Sequence, residues 1–375
     1  MPDPKRLKAI PEANGLDVVV AMSPENFTYV SGAFVITVEA IRPRQAFAVL
    51  PRAGDPFAVF CSIETATMRD ESWIEDLVEY TEFVHRPVDK LAEALTERGL
   101  GSGSIGIDLK YLPALDYNRL MELLPDAVLV DTTQAVAKVR AIKTEEEVGI
   151  LEHAAKGTHS AVLDAIGASK TGDTEKQIAA KIADGITRNG ADTVLFMCFG
   201  SGPRSILTHG APGNRETELG DIIRLDTGGR YGAYFSDFAR TYSAGDPTPG
   251  QREIYRKLVE VHKETIGAVR PGVTAEELFF ICRDAFDKRG LPFHMPHIGH
   301  SFGVELHESP MLRPGDKTPI KAGMVINIEP VVVDHARKSL YHVEDLFVVT
   351  DEGFRLLTHG YPPEELPVLG ERPAT

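Results

Sequence analysis

From Gly15 to Val130 the apolar residues fall in short runs, LDVVVAM, AFAVLP, FAVFC and SIGIDL. Runs of this length with turn-forming flanks predict strands, and VDKLAEALTERGL, apolar at helical spacing, predicts a helix among them. This alternation predicts an α/β domain of ordinary size. After VDTTQAVAKVRAIKT the period changes. Thr144 and Glu147 stand at capping-box spacing at the head of EEEVGILEHAAKGTHSAVLDAI, as do Thr174 and Gln177 in TEKQIAAKIADGITRNG and Thr274 and Glu277 in TAEELFFICRDAFDKRG. Strands follow the first pair of helices through Ser243. A second helical stretch, PGQREIYRKLVEVHKETIGAV, then leads through the Thr274 helix to a strand-rich block from Gly299 to Thr350. Helices then strands, twice over, predict an α+β domain of two related halves. The boundary falls between Val130 and Thr144, giving an N-terminal domain of residues 1–135 and a C-terminal domain of residues 136–375. The proline-rich tail YPPEELPVLGERPAT is expected to be an irregular surface segment.

Two hairpins in the second domain carry acids. In DTGGRYGAYFSD, a tip at Tyr231–Gly232 would set Asp226 opposite Asp237. In INIEPVVVDHARKSLYHVEDLFVVT, a tip at Ala336–Arg337 would set Glu329 opposite Glu344. Opposed like charges cost up to ~1 kcal/mol when solvated and more when buried. A single such pair is most simply read as exposed acids flanking a turn. The flanks argue otherwise, because Ile223 and Leu225 follow a buried-strand pattern and the design occurs twice. Between the hairpins, GHSFGVELHESP holds His300 and His307. Seven residues apart on an ideal strand they face opposite ways, so they serve one site only if the chain bends, with Gly303 as a candidate bulge. Four carboxylates and an imidazole suit Mn, Co, Fe or Zn better than a thiophilic metal. Two divalent cations would balance the four acids, acidify a bridging water and polarise a carbonyl, which implies hydrolysis.

Composition narrows the field further. The 375 residues are 43% hydrophobic and 25% charged, as in a soluble globular protein with room for two or three cores. A net charge of -15 and no basic stripe argue against a nucleic-acid partner. MPDPKRLKAIPEANG has no apolar leader and LDVVVAM is too short to span a bilayer, so no membrane role is expected. Cys61, Cys198 and Cys282 form no CxxC pair; a reducing, cytoplasmic setting is expected, with all three buried. GSGPRS and DTGGRYG lack a P-loop lysine and dinucleotide-binding spacing, and no GxSxG elbow is present. Both glycine clusters are read as turns that let backbone approach the site.

The order Asp226, Asp237, His300, Glu329, Glu344 resembles the metal ligands of the M24 metallopeptidases, the pita-bread family that includes methionine aminopeptidase, aminopeptidase P and prolidase. SPENFTYVSG and GIDLKYLPALDYNRL resemble the creatinase-type N-terminal domain, and RAIKTEEEVGILEHAA resembles the family's entry helix. The resemblance covers nearly the whole chain and points to the aminopeptidase P, prolidase and creatinase branch. It implies a creatinase-like α/β domain followed by an α+β pita-bread domain with a mixed, strongly curved sheet. It implies two divalent ions, Mn first with Co, Zn or Fe as alternatives, and removal of an N-terminal residue from short peptides of Xaa-Pro type. His209, in GSGPRSILTHGAPGNR, matches the histidine that contacts substrate and stabilises the tetrahedral intermediate. His307 matches the second such histidine, His300 is the ligand, and Glu329 doubles as general acid/base. By analogy a homodimer is expected.

Two positions depart from the proline-specific pattern. Pro296 stands where a histidine precedes the ligand histidine by four, and His342 stands where an arginine precedes the last glutamate by two; His294 and His297 lie close enough to compensate. An alternative substrate is therefore a small nitrogenous or zwitterionic metabolite, as for creatinase-like and ectoine-hydrolase-like relatives. A non-catalytic binding module on this fold would typically have lost ligand residues, and all five are present.

Overall fold

The apolar runs of the first third become strands β1 (Val18–Ala21), β2 (Phe47–Pro51), β3 (Phe57–Cys61), β4 (Asp76–Tyr80), β5 (Gly103–Ile107) and β6 (Ala127–Asp131). The structure, a computed structural model, describes residues 3–372. The six strands form one sheet in the order β4-β3-β2-β1-β5-β6, with β1–β2 and β2–β3 antiparallel and the other neighbours parallel. Every residue of β1, β2 and β3 is buried, whereas the edge strands β4 and β6 are mostly exposed or half-buried. Central strands covered on both faces read as continuous apolar runs, so these were the legible ones.

The chain divides into two compact units between Arg140 and Ala141. In the second, helices Glu145–Gly167 and Glu175–Arg188 precede β7 (Thr193–Ser201), β8 (Ile222–Tyr231), β9 (Tyr234–Phe235) and β10 (Phe238–Ser243). Helices Pro249–Gly267 and Ala275–Arg289 precede β11 (His300–Ser301), β12 (Glu308–Met311), β13 (Val325–Ile328), β14 (Val331–Asp334), β15 (Ser339–His342), β16 (Asp345–Val349) and β17 (Phe354–Leu356). All four helices start with reciprocal capping boxes: Thr144 with Glu147, Thr174 with Gln177, Thr274 with Glu277, and a fourth at Thr248 with Gln251.

Each helix pair covers its own strands. Ile166 and Ile182 pack with Phe199, Leu225 and Tyr242 in one core cluster; Leu258, Leu278 and Phe286 pack with Ile326 and Phe347 in another. The strands form a β10-β8-β7 sheet with β9 on β8, a β12-β11-β13-β16-β17 sheet, and the β14–β15 ribbon. Ladders in this unit are antiparallel, joined among the described residues by a parallel bridge at Ser243–Val368, so the parallel pairing of the mixed sheet lies mainly in the first unit. The two strand groups meet where Glu344 N donates to Ala239 O (3.1 Å) and Thr241 Oγ1 donates to His342 O (2.8 Å) while accepting from His342 N (2.7 Å). Arg240 reinforces this junction from beneath, pairing with buried Asp345 at 2.5 Å.

The tail departs from the expected surface segment. Leu366 and Leu369 are buried, Leu369 N donates to Ser243 O (2.8 Å) and Gly370 N donates to Ile166 O (3.1 Å). Two leucines spaced among prolines give enough apolar area to dock an otherwise irregular stretch. Residues 373–375 of that segment lie outside the described residues.

Candidate metal centre

Residues on β8 and β10 bring Asp226 and Asp237 together in a register that differs from the sequence expectation by two. Tyr231 pairs with Tyr234, so the reversal is at Gly232–Ala233, and Asp226 pairs with Ala239 rather than Asp237. An even shift keeps every side chain on its face. Asp237 thus becomes a diagonal neighbour of Asp226 instead of its direct partner. The physical reason lies at Gly228 and Ser236, where a Cβ on Gly228 would sit 1.9 Å from the Ser236 carbonyl oxygen. Two buried tyrosines flank the tip, and Gly232, at φ +61, makes the turn. Asp237 sits in the break between β9 and β10.

The second hairpin has the expected register. Ile328 pairs with Asp345 and Val331 with His342, which leaves Glu329 opposite Glu344 where Pro330 interrupts the ladder. His300 lies on β11, with a bulge between it and Ser301 rather than at Gly303. The strand ends there and the chain bends through Phe302–Leu306, so the His307 ring stacks on that of His300 with centroids 4.0 Å apart. Gly303 serves close approach: a Cβ there would lie 3.1 Å from Glu308 Oε1 and 3.2 Å from Lys143 Cε. Glu308 anchors the bend, accepting from Val304 N (3.2 Å) and Glu305 N (3.3 Å) and pairing with buried Lys143 (2.8 Å).

Carboxylate oxygens of Asp226, Asp237 and Glu344 lie within 4.8 Å of one another, and Glu329, His342 and Glu344 form a second such group. Glu344 is common to both. His300 Nε2 is 3.4 Å from Glu329 Oε1 and 4.0 Å from Asp237 Oδ2. Burial, then the charges of Glu344, Asp226 and Glu329, hold the Asp237 carboxyl well above the usual range. Glu344 is raised well above its ordinary value by burial and by Glu329 and Asp226. Glu329 is pushed up to about 8, by burial and Asp226 against the opposing pull of Arg224. Burial and the neighbouring His307 hold His300 down to about 3, so it is a neutral imidazole.

Compare Asp108 of the first unit, which is equally buried but accepts from Met22 N, Ser23 N and Asn26 Nδ2, each at 2.9 Å. Asp237 Oδ1 and Glu329 Oε1 have no hydrogen-bond partner among the described residues. Buried acids are paired, hydrogen-bonded or bound to metal. The orphaned oxygens, the mutual repulsion and the neutral histidine fit divalent cations, and oxygen with imidazole nitrogen is the donor set of Mn, Co, Fe or Zn.

Three residues that sequence reasoning did not place in the centre belong to it. Asn327, fully buried, accepts from His300 N through Oδ1 (2.6 Å) and donates through Nδ2 to Glu344 Oε1 (2.5 Å). Its position two residues before Glu329 is the signal that could have found it, since alternate strand residues share a face. Arg224, two before Asp226, donates to Asp226 Oδ2 at 2.7 Å. Cys198 pairs with Asp226 across β7 and β8 and is half-buried, not buried as expected, because the first part of β7, Val194 to Cys198, is half-buried on both faces; burial and the Asp226 charge push its thiol up.

His297 Nδ1 is 3.7 Å from Glu329 Oε1, whereas His294 and Pro296 are exposed. His209 lies on an exposed turn beside Thr208, whose carbonyl accepts from Arg224, and its charge acts on His307.

Residues 150–351 match the metallopeptidase family M24 and residues 5–142 match the creatinase/prolidase N-terminal domain. The chain is similar to the Xaa-Pro dipeptidase of Pyrococcus horikoshii, 30% identical over 94% of this chain and 96% of that one. It is 37% identical to the Xaa-Pro dipeptidase of Pyrococcus furiosus over 60% of this chain, a stretch that spans 64% of that relative's length. The crystal structure of dipeptidase PepE from Mycobacterium ulcerans superposes with a TM-score of 0.85 at 30% identity, covering 97% of each chain.

Proposed function

Because this chain belongs to the metallopeptidase family M24 and is a metal-dependent hydrolase, we propose that it removes the N-terminal residue of short peptides whose second residue is proline. The supporting observation is the convergence of four carboxylates and a neutral histidine, with orphaned oxygens on Asp237 and Glu329. Asp226, Asp237, His300, Glu329 and Glu344 would hold two divalent ions, Mn in the first instance. When bound, such ions supply Lewis acidity and water acidified toward neutrality.

The remaining steps belong to side chains. Glu329, raised to about 8, can accept a proton from water and deliver it to the departing amine; such transfer contributes typically 10²- to 10⁴-fold. Lys143 and Glu308 fix the bend that presents His307, and His209, on its exposed turn, lies near enough for its charge to act on His307. Both histidines would donate to the oxygen that becomes negative at the scissile carbonyl. His209→Ala is expected to lower kcat by about 10²-fold, the scale of losing one such donor, while metal content measured by mass spectrometry stays at the wild-type level.

Among the described residues no helix is long and apolar enough to cross a membrane. Three free cysteines support a reducing, cytoplasmic setting, and the family suggests a homodimer. The test is cleavage of Ala-Pro, Ala-Pro-Ala and Ala-Ala by Mn-loaded protein, read by mass spectrometry beside a chelated control. Chelator-sensitive cleavage of Ala-Pro alone means a dipeptidase, and cleavage of Ala-Pro-Ala an aminopeptidase. No cleavage with metal bound overturns the peptide reading in favour of a small zwitterionic metabolite, the alternative that Pro296 and His342 motivate.

A further inference from the structure

Arg224 is buried to 1% exposure in the floor of the acid cluster. Besides Asp226 it reaches His342 Nδ1, from Nη2 at 3.0 Å and from Nε at 3.3 Å. A guanidinium has five N–H donors, no acceptor, and a charge it does not lose. His342 Nδ1 must therefore be the acceptor and carry no proton. The single proton of the neutral ring is then on Nε2. That atom is buried, has no hydrogen-bond partner among the described residues, and lies 3.6 Å from Glu329 Oε2.

His300 is wired the opposite way. Its Nδ1 lies 3.2 Å from the Ser301 carbonyl oxygen, which can only accept. The proton is on Nδ1 and the Nε2 lone pair faces the carboxylates. A metal-ligating imidazole donates its far N–H to an acceptor of this kind. His300 satisfies that requirement, whereas His342 has a cation where the acceptor would have to be.

We propose that Arg224 holds His342 as its Nε2–H tautomer, so that His342 positions Glu329 by hydrogen bonding and is not a metal ligand, although one of its ring nitrogens lies within 4.8 Å of carboxylate oxygens of Glu329 and Glu344. The donor faces Oε2 of Glu329 across 3.6 Å, a gap that a shift of a few tenths of an ångström closes to a hydrogen bond, and leaves Oε1 as the oxygen facing His300. The significance for catalysis rests on Glu329 being the acid/base group, but the tautomer does not.

The full chain, labelled with ¹⁵N-histidine and loaded with diamagnetic Zn²⁺, tests this by NMR. His342 is assigned by the signals lost in His342→Gln and His342→Asn. A protonated pyrrole-type Nε2 and a bare pyridine-type Nδ1 are expected; the reverse overturns the proposal. Gln keeps an N–H near the Nε2 position and Leu does not. His342→Gln should therefore hold kcat within about tenfold of wild type, whereas His342→Leu loses about 10- to 100-fold, the scale for removing an outer partner, both with unchanged metal content. Loss of a metal equivalent in both variants overturns the proposal. Should the variants not fold, cadmium-113 coupling in the labelled wild type decides, with His300 coupled as expected and a second coupled histidine from the β15–β16 region overturning the assignment. If Glu329→Gln retains full activity while the tautomer is as expected, the acid/base reading fails and the tautomer stands.

Discussion

Asp237→Asn is expected to fold, to lose bound metal and to lose turnover by ~10³-fold or more. The ion-dependent part of such a reaction is worth several kcal/mol, and about 4 kcal/mol is a thousandfold in rate. Burial and three neighbouring carboxylates all oppose the charge on Asp237, so if it is a ligand, as proposed, a bound cation is what would keep it charged. Replacing it by the isosteric amide removes a ligand charge without leaving a cavity. The same change relieves repulsion when no metal is bound, so the stripped variant should melt above the stripped wild type at alkaline pH. Metal analysis, peptide cleavage and calorimetry on both proteins check the three parts together. Full activity with a wild-type metal content would remove Asp237 from the centre.

Legibility followed the physics of each segment. Capping boxes are local, so the helix starts at Thr144, Thr174 and Thr274 were readable from spacing alone. The Thr248 helix has the same Gln-type box as Thr174, here with Pro249 and Gly250 inside it, two residues that mark a turn rather than a helix. Strands buried on both faces were readable as apolar runs, while the edge strands β4 and β6 were not, because four of the five residues in each are exposed or half-buried. Of the two acid hairpins, one register was right because its turn is centred symmetrically on Ala336–Arg337. The other was displaced by two because a glycine contact at Gly228 and a tyrosine pair, both tertiary matters, set the tip. The error left Asp226 and Asp237 on one face, which is why the pairing of acids was visible before the correct ladder was. Asn327 and Arg224 were hidden for a different reason. Each looks like an ordinary polar residue in a strand until parity relative to Glu329 and Asp226 is taken into account.

In protein stripped of metal by a chelator, stability is expected to fall as the pH rises from about 6.5 to about 8, with Glu329, Asp237 and Glu344 all contributing. Stability rises with pH where the unfolded chain binds more protons and falls where the folded chain does. Glu329, with an ordinary value of 4.5 raised to about 8, keeps its proton in the folded state across that window while the unfolded chain has released it. Asp237 and Glu344 are shifted in the same direction. The buried histidines act oppositely: His159 is held down to about 2, His262 and His300 to about 3, and His342 well below its ordinary value, from 6.5. Their contribution grows with pH, is half delivered at the unfolded value of 6.5 and is complete about one unit higher, so each still adds about 0.4 kcal/mol inside this window and blunts the fall that the three carboxyls drive. Once it is complete the carboxyls act alone. Over 1.5 pH units one fully linked proton is worth on the order of 2 kcal/mol, which lowers Tm by roughly 4–8 °C for a unit of this size. Metal-loaded protein should not follow the same line, because ion binding displaces those protons and tightens as they leave. The gap in Tm between loaded and stripped protein should therefore widen from pH 6.5 to 8. A stripped protein whose Tm is level or climbs over this range would mean that the acids are compensated by something other than a cation.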